Sequence, residues 1–429
     1  MPDAIGHDDK PLKILMTEGA SISARQILFD LGGRHTIDIL DPSRICQCRP
    51  SKFIREYYRV PPFSADPHRW LTIVGERLRE GDYDVLVPPH DEVFLLSHVR
   101  DTLQEMVAVA IPPIEAVEEI QSKIRFAEIC RELDIPIPPS TVVKEVGELE
   151  TWSDWPQWLK LAYGSAGATV RLVHDRQQAE AALADFQARG WWEPGVPFLL
   201  QQGAAGDQGF VRALFDKGEL QAYHCSVLRM RGVGGAAIAK VSVDHPSVGE
   251  HMAKLGKHLG WHGVLFCDYF HDNDSGIPYY IEANPRIGDS ANATMSGNNI
   301  IQKWVDVKVG REVGPHDEVQ TGIRSHSKLL VLISKCLDGA SRGQVWAEMK
   351  KLKAGVGEYE DSLDENSRGH IDWPSELPYT YMAARLLLQP SFASKYVQKM
   401  VRNYSLSEEA ADKIRKTPAE KFVAALKGG

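Results

Sequence analysis

Five residues, Glu282-Ala283-Asn284-Pro285-Arg286, end an apolar run with a carboxylate, an amide and a guanidinium. Alternate residues of a strand share a face, so Glu282 and Asn284 point the same way. Asp268 lies in the preceding run, GVLFCDYF. Antiparallel pairing of that run with PYYIEANP would set a third oxygen donor beside them. A hard divalent ion such as Mg2+ takes one or two carboxylates, an amide oxygen and the phosphate oxygens of a ligand. Arg286, just past the proline, would reach an anion beside such an ion. Each residue alone also suits a solvated strand end. The four together point to chemistry.

A second group lies upstream in LKLAYGSAGATVRL. Lys160 stands in an apolar run, where an unpaired ammonium is costly, so it calls for an anionic partner. The loop Gly164-Ser165-Ala166-Gly167-Ala168 carries almost no side chains, and its amides can cradle phosphate oxygens. A flexible hairpin loop with a snorkelling lysine accounts for the same residues equally well. Two other stretches fail their context. RGVGGAA (231–237) matches G-x-G-x-x-A, but a strand-like run follows it where a dinucleotide site needs a helix. AEMKKL (347–352) has a helical pattern, which makes Lys350 and Lys351 surface charges. There is no P-loop, H-E-x-x-H or G-x-S-x-G motif.

The elements that must hold these residues follow from periodicity. LKILMTEG, HTIDILDPS, DYDVLVPP and EMVAVAIPP read as strands, with helical SARQILFDLGG and WLTIVGERLRE between them. That alternation predicts a parallel α/β sheet. PPIEAVEEIQSKIRFAEICRELDIPIPPS reads as a helix bracketed by prolines and marks a junction near residue 113. From 158 to 284 strands dominate, as expected of an α+β, mainly antiparallel region. Beyond about 313 the pattern is helical. The expected domains are 1–113, 114–312 and 313–429.

A chain of 429 residues suits two or three domains. Its net charge of −9 argues against a nucleic-acid partner, which needs a basic face. No apolar run approaches the roughly 20 residues of a membrane span, and the polar start lacks the layout of a secretory signal. The six cysteines lack zinc-site spacing and read as reduced thiols of a cytoplasmic protein.

The order of these pieces resembles the ATP-grasp superfamily, in particular its carboxylate–amine ligases and the related carbamoyl-phosphate synthase and biotin carboxylase chains. The resemblance covers roughly residues 12 to 310. It implies a Rossmann-like first domain, an ATP-grasp core of two α+β subdomains and, here, a helical C-terminal extension. It implies ATP with Mg2+ or Mn2+. Lys123 would contact nucleotide phosphate, and Lys160 would lie beside the α-phosphate and adenine. Residues 163–168 would be the loop over the phosphates. LLQQG (199–203), with Gln201 and Gln202, would be the hinge at the adenine edge, and Gln208 would take the ribose position. Asp268, Glu282 and Asn284 would hold metal, and Arg286 would steady the transferred phosphoryl group. The hinge is usually acidic in the family, and the ribose residue is commonly glutamate, so the glutamines here are departures.

The implied activity is phosphorylation of a carboxylate by ATP and capture of the acyl-phosphate by an amine, with release of ADP and phosphate. The substrate carboxylate is expected near Arg286 and the loop carrying Gly288, Asp289 and Ser290, with Arg229 or Arg231 as a second clamp. Small-molecule substrates, no nucleic acid, no membrane and pairing of two copies through the first domain complete the expectation. The alternatives are a bicarbonate-activating or carbamoyl-phosphate-forming relative, and a nucleotide-binding regulatory protein without turnover.

Overall fold

A computed structural model describes residues 10–164, 167–313, 319–367 and 371–428. The first sheet is parallel, with strands β1 (Lys13–Met16), β2 (Thr36–Asp41), β3 (Ile54–Arg59) and β4 (Val85–Val87) in the order β3-β2-β1-β4. β1 and β4 are apolar past Lys13 and buried, as parallel strands covered on both faces must be, while β2 is buried past Thr36 with Asp38 and Asp41 among its apolar residues. One strand was missed and one expectation is corrected. β3, IREYYR, is polar and half-exposed, so no apolar run announced it. EMVAVAIPP is not a strand. Its first residues end the helix Arg100–Met106, and only an isolated bridge joins Ala108 to Val85.

The proline-bracketed helix is two helices, Ile114–Gln121 and Lys123–Glu132. Ser122 between them is extended, and its hydroxyl accepts from the Arg125 amide, so it caps a fresh helix. The Lys123 amide donates to the Ala162 carbonyl at 2.8 Å. That bond fixes the helix start against the loop that follows the next sheet's lysine strand. The sheet itself is antiparallel, with β5 (Ser140–Val143), β6 (Gln157–Leu161), β7 (Val170–Val173) and β8 (Phe198–Gln201) in the order β5-β8-β6-β7. It has its own core around Leu159, Leu183, Phe186 and Phe198.

The third sheet is the largest. It runs β13-β12-β9-β10-β11-β14-β15, from β9 (Asp207–Asp216), β10 (Glu219–Arg231), β11 (Ala237–Val243), β12 (Gly263–His271), β13 (Pro278–Asn284), β14 (Arg324–His326) and β15 (Ser362–Asp364). Its register separates two faces. Val211, Ala213, Cys225, Leu265 and Cys267 point into a core shared with the helix Pro246–Leu259 and the helices around residue 120. Phe210, Arg212, Lys240, Phe266, Asp268, Glu282 and Asn284 lie on the other face.

The C-terminal region is mainly helical, yet β14 and β15 extend the large sheet from within it. Three-residue strands are too short to show a two-residue period in sequence. The helix Ala419–Lys427 returns to the side of the first sheet. It packs on the helix Pro67–Gly81, where Phe422 and Leu426 share a core with Trp70, Leu71 and Val74. The approach needs Gly75, because a Cβ there would lie 1.8 Å from the Leu426 carbonyl oxygen. All six cysteines are buried and free of disulfides. Among the described residues no helix is long and apolar enough to cross a membrane.

Candidate functional site

Asp268 on β12 stands directly opposite Glu282 on β13, and Phe266 stands opposite Asn284. The two carboxylates and the amide therefore occupy one patch at the β12–β13 edge. The charges of Arg286 and Arg212 act on Asp268 and that of Lys160 on both acids, but close donors are few. Gln208 Nε2 reaches Asp268 Oδ1 at 3.4 Å, and Lys123 Nζ lies 3.7 Å from Glu282 Oε1. Burial, then the Glu282 charge, pushes the Asp268 carboxyl up to about 7. Two carboxylates side by side in protein surroundings ask for a cation. Among the described residues no three His, Cys, Asp or Glu side chains gather as a metal-binding group. An ion here would be held by Asp268, Glu282, the Asn284 amide oxygen and oxygens of a ligand. That donor set fits a hard divalent cation such as Mg2+.

The small sheet supplies the opposing charge. Lys160 on β6 is buried and donates to Gln201 Oε1 on β8 at 2.6 Å. Burial pulls its ammonium down to about 8, while Glu282 and, more weakly, Asp268 pull it back up. Gln201 in turn donates to Ser140 Oγ at 2.9 Å. An acidic side chain at position 201 would pair with Lys160. The glutamine orients the lysine and leaves its charge for a ligand. Gln202 donates to Asp154 Oδ2 at 2.5 Å, and its backbone amide donates to the Pro139 carbonyl.

Lys123 Nζ donates to the Gly164 carbonyl at 2.8 Å, and Thr169 Oγ1 donates to the Tyr163 carbonyl at 2.8 Å, so both ends of the glycine loop are pinned. Gly164 has φ +132°, and a Cβ there would strike Thr169 Oγ1 at 2.1 Å. Glycine is required at that root. Gly167 also has positive φ, +70°. Ser165 and Ala166 lie outside the described residues.

Arg286 Nε donates to Asp91 Oδ1 at 2.9 Å, and the Leu406 amide donates to Asp91 Oδ2 at 3.1 Å. Burial raises the Asp91 carboxyl, but His90, Arg286 and the amide together hold it well below the usual carboxylate range. Asp289 pairs with Lys240 Nζ at 3.0 Å. Lys240 also pairs with Glu365 at 3.0 Å, and Arg212 donates to the Asp289 carbonyl. Burial opposes ionisation of Asp289, and Lys240 and Arg212 outweigh it, so its carboxyl lies low. Gly288 has φ +65° and lies against Phe266. The Ser290 amide donates to Gln26 Oε1 at 2.6 Å, while its buried hydroxyl has no partner.

Arg231 donates to Gln208 and so joins the group around Asp268. Arg229 does not. It lies within reach of the charges of Arg324 and Glu358, and among the described residues no hydrogen bond or ion pair ties it to Asp268 or Glu282. Asp91, Lys240 and Arg212 were missed from sequence. Lys240 carried the same signal as Lys160, a lysine inside an apolar strand, AIAKVSV. Asp91 carried a weaker one, a charged run just after a buried strand in VLVPPHDE.

No family model matches the chain. In sequence, 211 residues are 24% identical to acetyl-CoA carboxylase 1 of Arabidopsis thaliana, over 41% of this chain and 9% of that protein. The chain thus matches only about a tenth of that curated relative's length. In structure it is similar to a biotin carboxylase from Campylobacter jejuni solved as a beta-gamma-ATP complex, with a TM-score of 0.58 and 15% identity over 74% of this chain and 75% of that one. It is also similar to an L-amino acid ligase from Bacillus licheniformis, with a TM-score of 0.54 and 16% identity over 70% and 75%. The chain has the ATP-grasp fold.

Proposed function

We propose that the protein is an ATP-dependent ligase that activates a carboxylate as an acyl-phosphate and joins it to an amine. The observation that carries this reading is the Asp268–Glu282 pair, short of hydrogen-bond donors and facing Lys123 at a helix start and Lys160 on the small sheet. The similarity to an amino acid ligase supports it. ATP would be bound with its phosphates toward Lys123, Lys160 and the loop from Gly164 through Ser165 and Ala166 to Gly167. Gln201, Gln202 and Gln208 would line its base and ribose. A cation held by Asp268, Glu282 and Asn284 supplies positive charge between two anions that would otherwise repel. Arg286, fixed by Asp91, offers its guanidinium to the transferred phosphoryl group and the substrate carboxylate. The loop at Gly288, Asp289 and Ser290, braced by Lys240 and Arg212, shapes the acid side, and Arg231 acts through Gln208. The domain limits 1–113, 114–312 and 313–429, the cytoplasmic setting and a homodimer belong to the same proposal.

The second reading is a bicarbonate-activating enzyme, favoured by the acetyl-CoA carboxylase and biotin carboxylase similarities. One experiment separates the two. The protein is incubated with MgATP, hydroxylamine and a panel of carboxylates, and ADP and hydroxamates are read by mass spectrometry. A hydroxamate that requires Glu282 establishes carboxylate activation and names the acid. ADP formed with bicarbonate alone, without hydroxamate, favours the second reading. Nucleotide binding without ADP under any condition removes both.

A further inference from the structure

The segment 404–415 touches both halves of this site. At one end the Leu406 amide holds Asp91, which holds Arg286. At the other, the helix Glu408–Arg415 carries Arg415 to the root of the glycine loop. Its guanidinium lies 4.4 Å from the ring centroid of Tyr163, the residue before Gly164. Two carboxylates aim it. Arg415 Nε lies 3.4 Å from Glu118 Oε1, and Nη1 lies 3.3 Å from Glu408 Oε1. Nη2 is buried with no hydrogen-bond partner. Such a nitrogen is tolerated where a ring face offers compensating electron density. Glu408 is close enough to Lys123 to feel its charge, and Lys123 holds the Gly164 carbonyl. The helix is fixed in turn, because Ser407 caps it and Ala410, Ala411 and Ile414 are buried along it.

We infer that Arg415 is a positioning residue for the glycine loop, and that the segment 404–415 sets this loop and Arg286 in a common frame. The inference rests on the ATP-dependent reading for its purpose and on the Arg415–Tyr163 contact for its geometry. Tyr163 stacked under Arg415 fixes the first residue of the loop. Loss of the stack leaves the bonds from Lys123 and Thr169 at that end of the loop.

The test uses the full chain and two readouts. Hydrogen–deuterium exchange without nucleotide reports the amides of Tyr163, Gly164 and Thr169. Calorimetric titration reports affinity for MgADP. Arg415→Ala and Tyr163→Leu are each expected to speed loop exchange several-fold and to weaken MgADP about tenfold, which corresponds to a cation–π contact of ordinary strength. Tyr163→Phe, which keeps the ring, and Arg415→Lys, which keeps the charge, are expected to recover most of the effect. The double variant Arg415→Ala/Tyr163→Leu is expected to be no weaker than either single one, because both remove the same contact. Wild-type exchange and affinity in Tyr163→Leu would overturn the inference, as would strictly additive losses. Arg415→Ala can fail to fold without harm to the test, because Tyr163→Leu leaves both carboxylate partners of Arg415 in place. A wild-type protein that binds no nucleotide would remove the functional reading, and the exchange readout would still decide the inference.

Discussion

Two groups of buried or half-buried acids in the molecule are built in opposite ways. Glu18, Asp41 and Glu92 gather at the carboxyl ends of the first sheet's strands. Burial pushes all three carboxyl groups up, as it does Asp268. The first group is surrounded by donors. Glu18 accepts from the Ala20 and Ser21 amides and the Ser21 hydroxyl. Asp41 accepts from the Gly19 amide at 3.0 Å, the Ser43 amide at 2.6 Å and the Tyr404 hydroxyl at 3.0 Å. Glu92 accepts from Thr17 Oγ1 at 2.6 Å. Asp268 and Glu282 have one long contact each, at 3.4 and 3.7 Å. Acids completed by the protein's own donors hold loops in place. Acids left short of close donors, with cations facing them, are a place for something to bind.

That contrast breaks most sharply at Glu282. Glu282→Ala is expected to cost roughly a thousandfold in MgATP-dependent turnover. Its melting temperature should stay near wild type, because the lost repulsion with Asp268 offsets the lost attraction to Lys123 and Lys160. Lost stability with retained turnover would move Glu282 into the first group. Asp41 gives the next largest effect. Its folded-state pKa of about 6 lies above the unfolded carboxylate value. The stability it contributes is therefore present below about pH 4 and is lost as pH rises through 6, amounting to roughly 3 kcal/mol. Urea unfolding of wild type and Asp41→Asn at pH 4 and pH 7 should show the balance shifting toward the variant at the higher pH. A difference that does not change with pH would show that Asp41 ionises normally.

Asp91 bridges the two kinds of behaviour, since it is satisfied and yet holds a site residue. Asp91→Ala is expected to lower kcat by about ten- to a hundredfold, with KM for MgATP near wild type, because Arg286 loses its anchor. A KM effect alone would place Arg286 in nucleotide binding. The smallest change is Tyr404→Phe, which removes one donor to Asp41. A stability loss of about 1 kcal/mol at neutral pH is expected, measured by urea unfolding. The loss should shrink at pH 4, where Asp41 carries a proton.

The site's core was legible because its chemistry is short-range in sequence. Glu282, Asn284 and Arg286 fall within five residues, and strand alternation alone aligns the first two. Lys160 declared itself by the cost of a lysine in an apolar strand. The break at Ser122 was hidden, because a single capping serine does not disturb the helical period of the residues around it. β3 was hidden because its faces are half-exposed and polar, and β14 and β15 because three residues carry no period. Asp91 and Leu406 are 315 residues apart. No local pattern can announce a contact of that span. It exists only because the helices beyond residue 390 turn back onto the region around the first sheet.

That return has a consequence for how the chain is made. Asp41 and Tyr404 are separated by 363 residues, and Arg79 and Leu426 by 347. Synthesis at roughly 5–20 residues per second puts about 20 to 70 seconds between the members of each pair. Through that interval Trp70, Leu71 and Val74 lack the Phe422 and Leu426 side chains that share their core, and Asp41 lacks its tyrosine donor. The region around the first sheet is thus left incomplete until the helix Ala419–Lys427 has been made. The time its apolar helix face stands open to wrong partners is set by the speed of translation and not by the speed of folding.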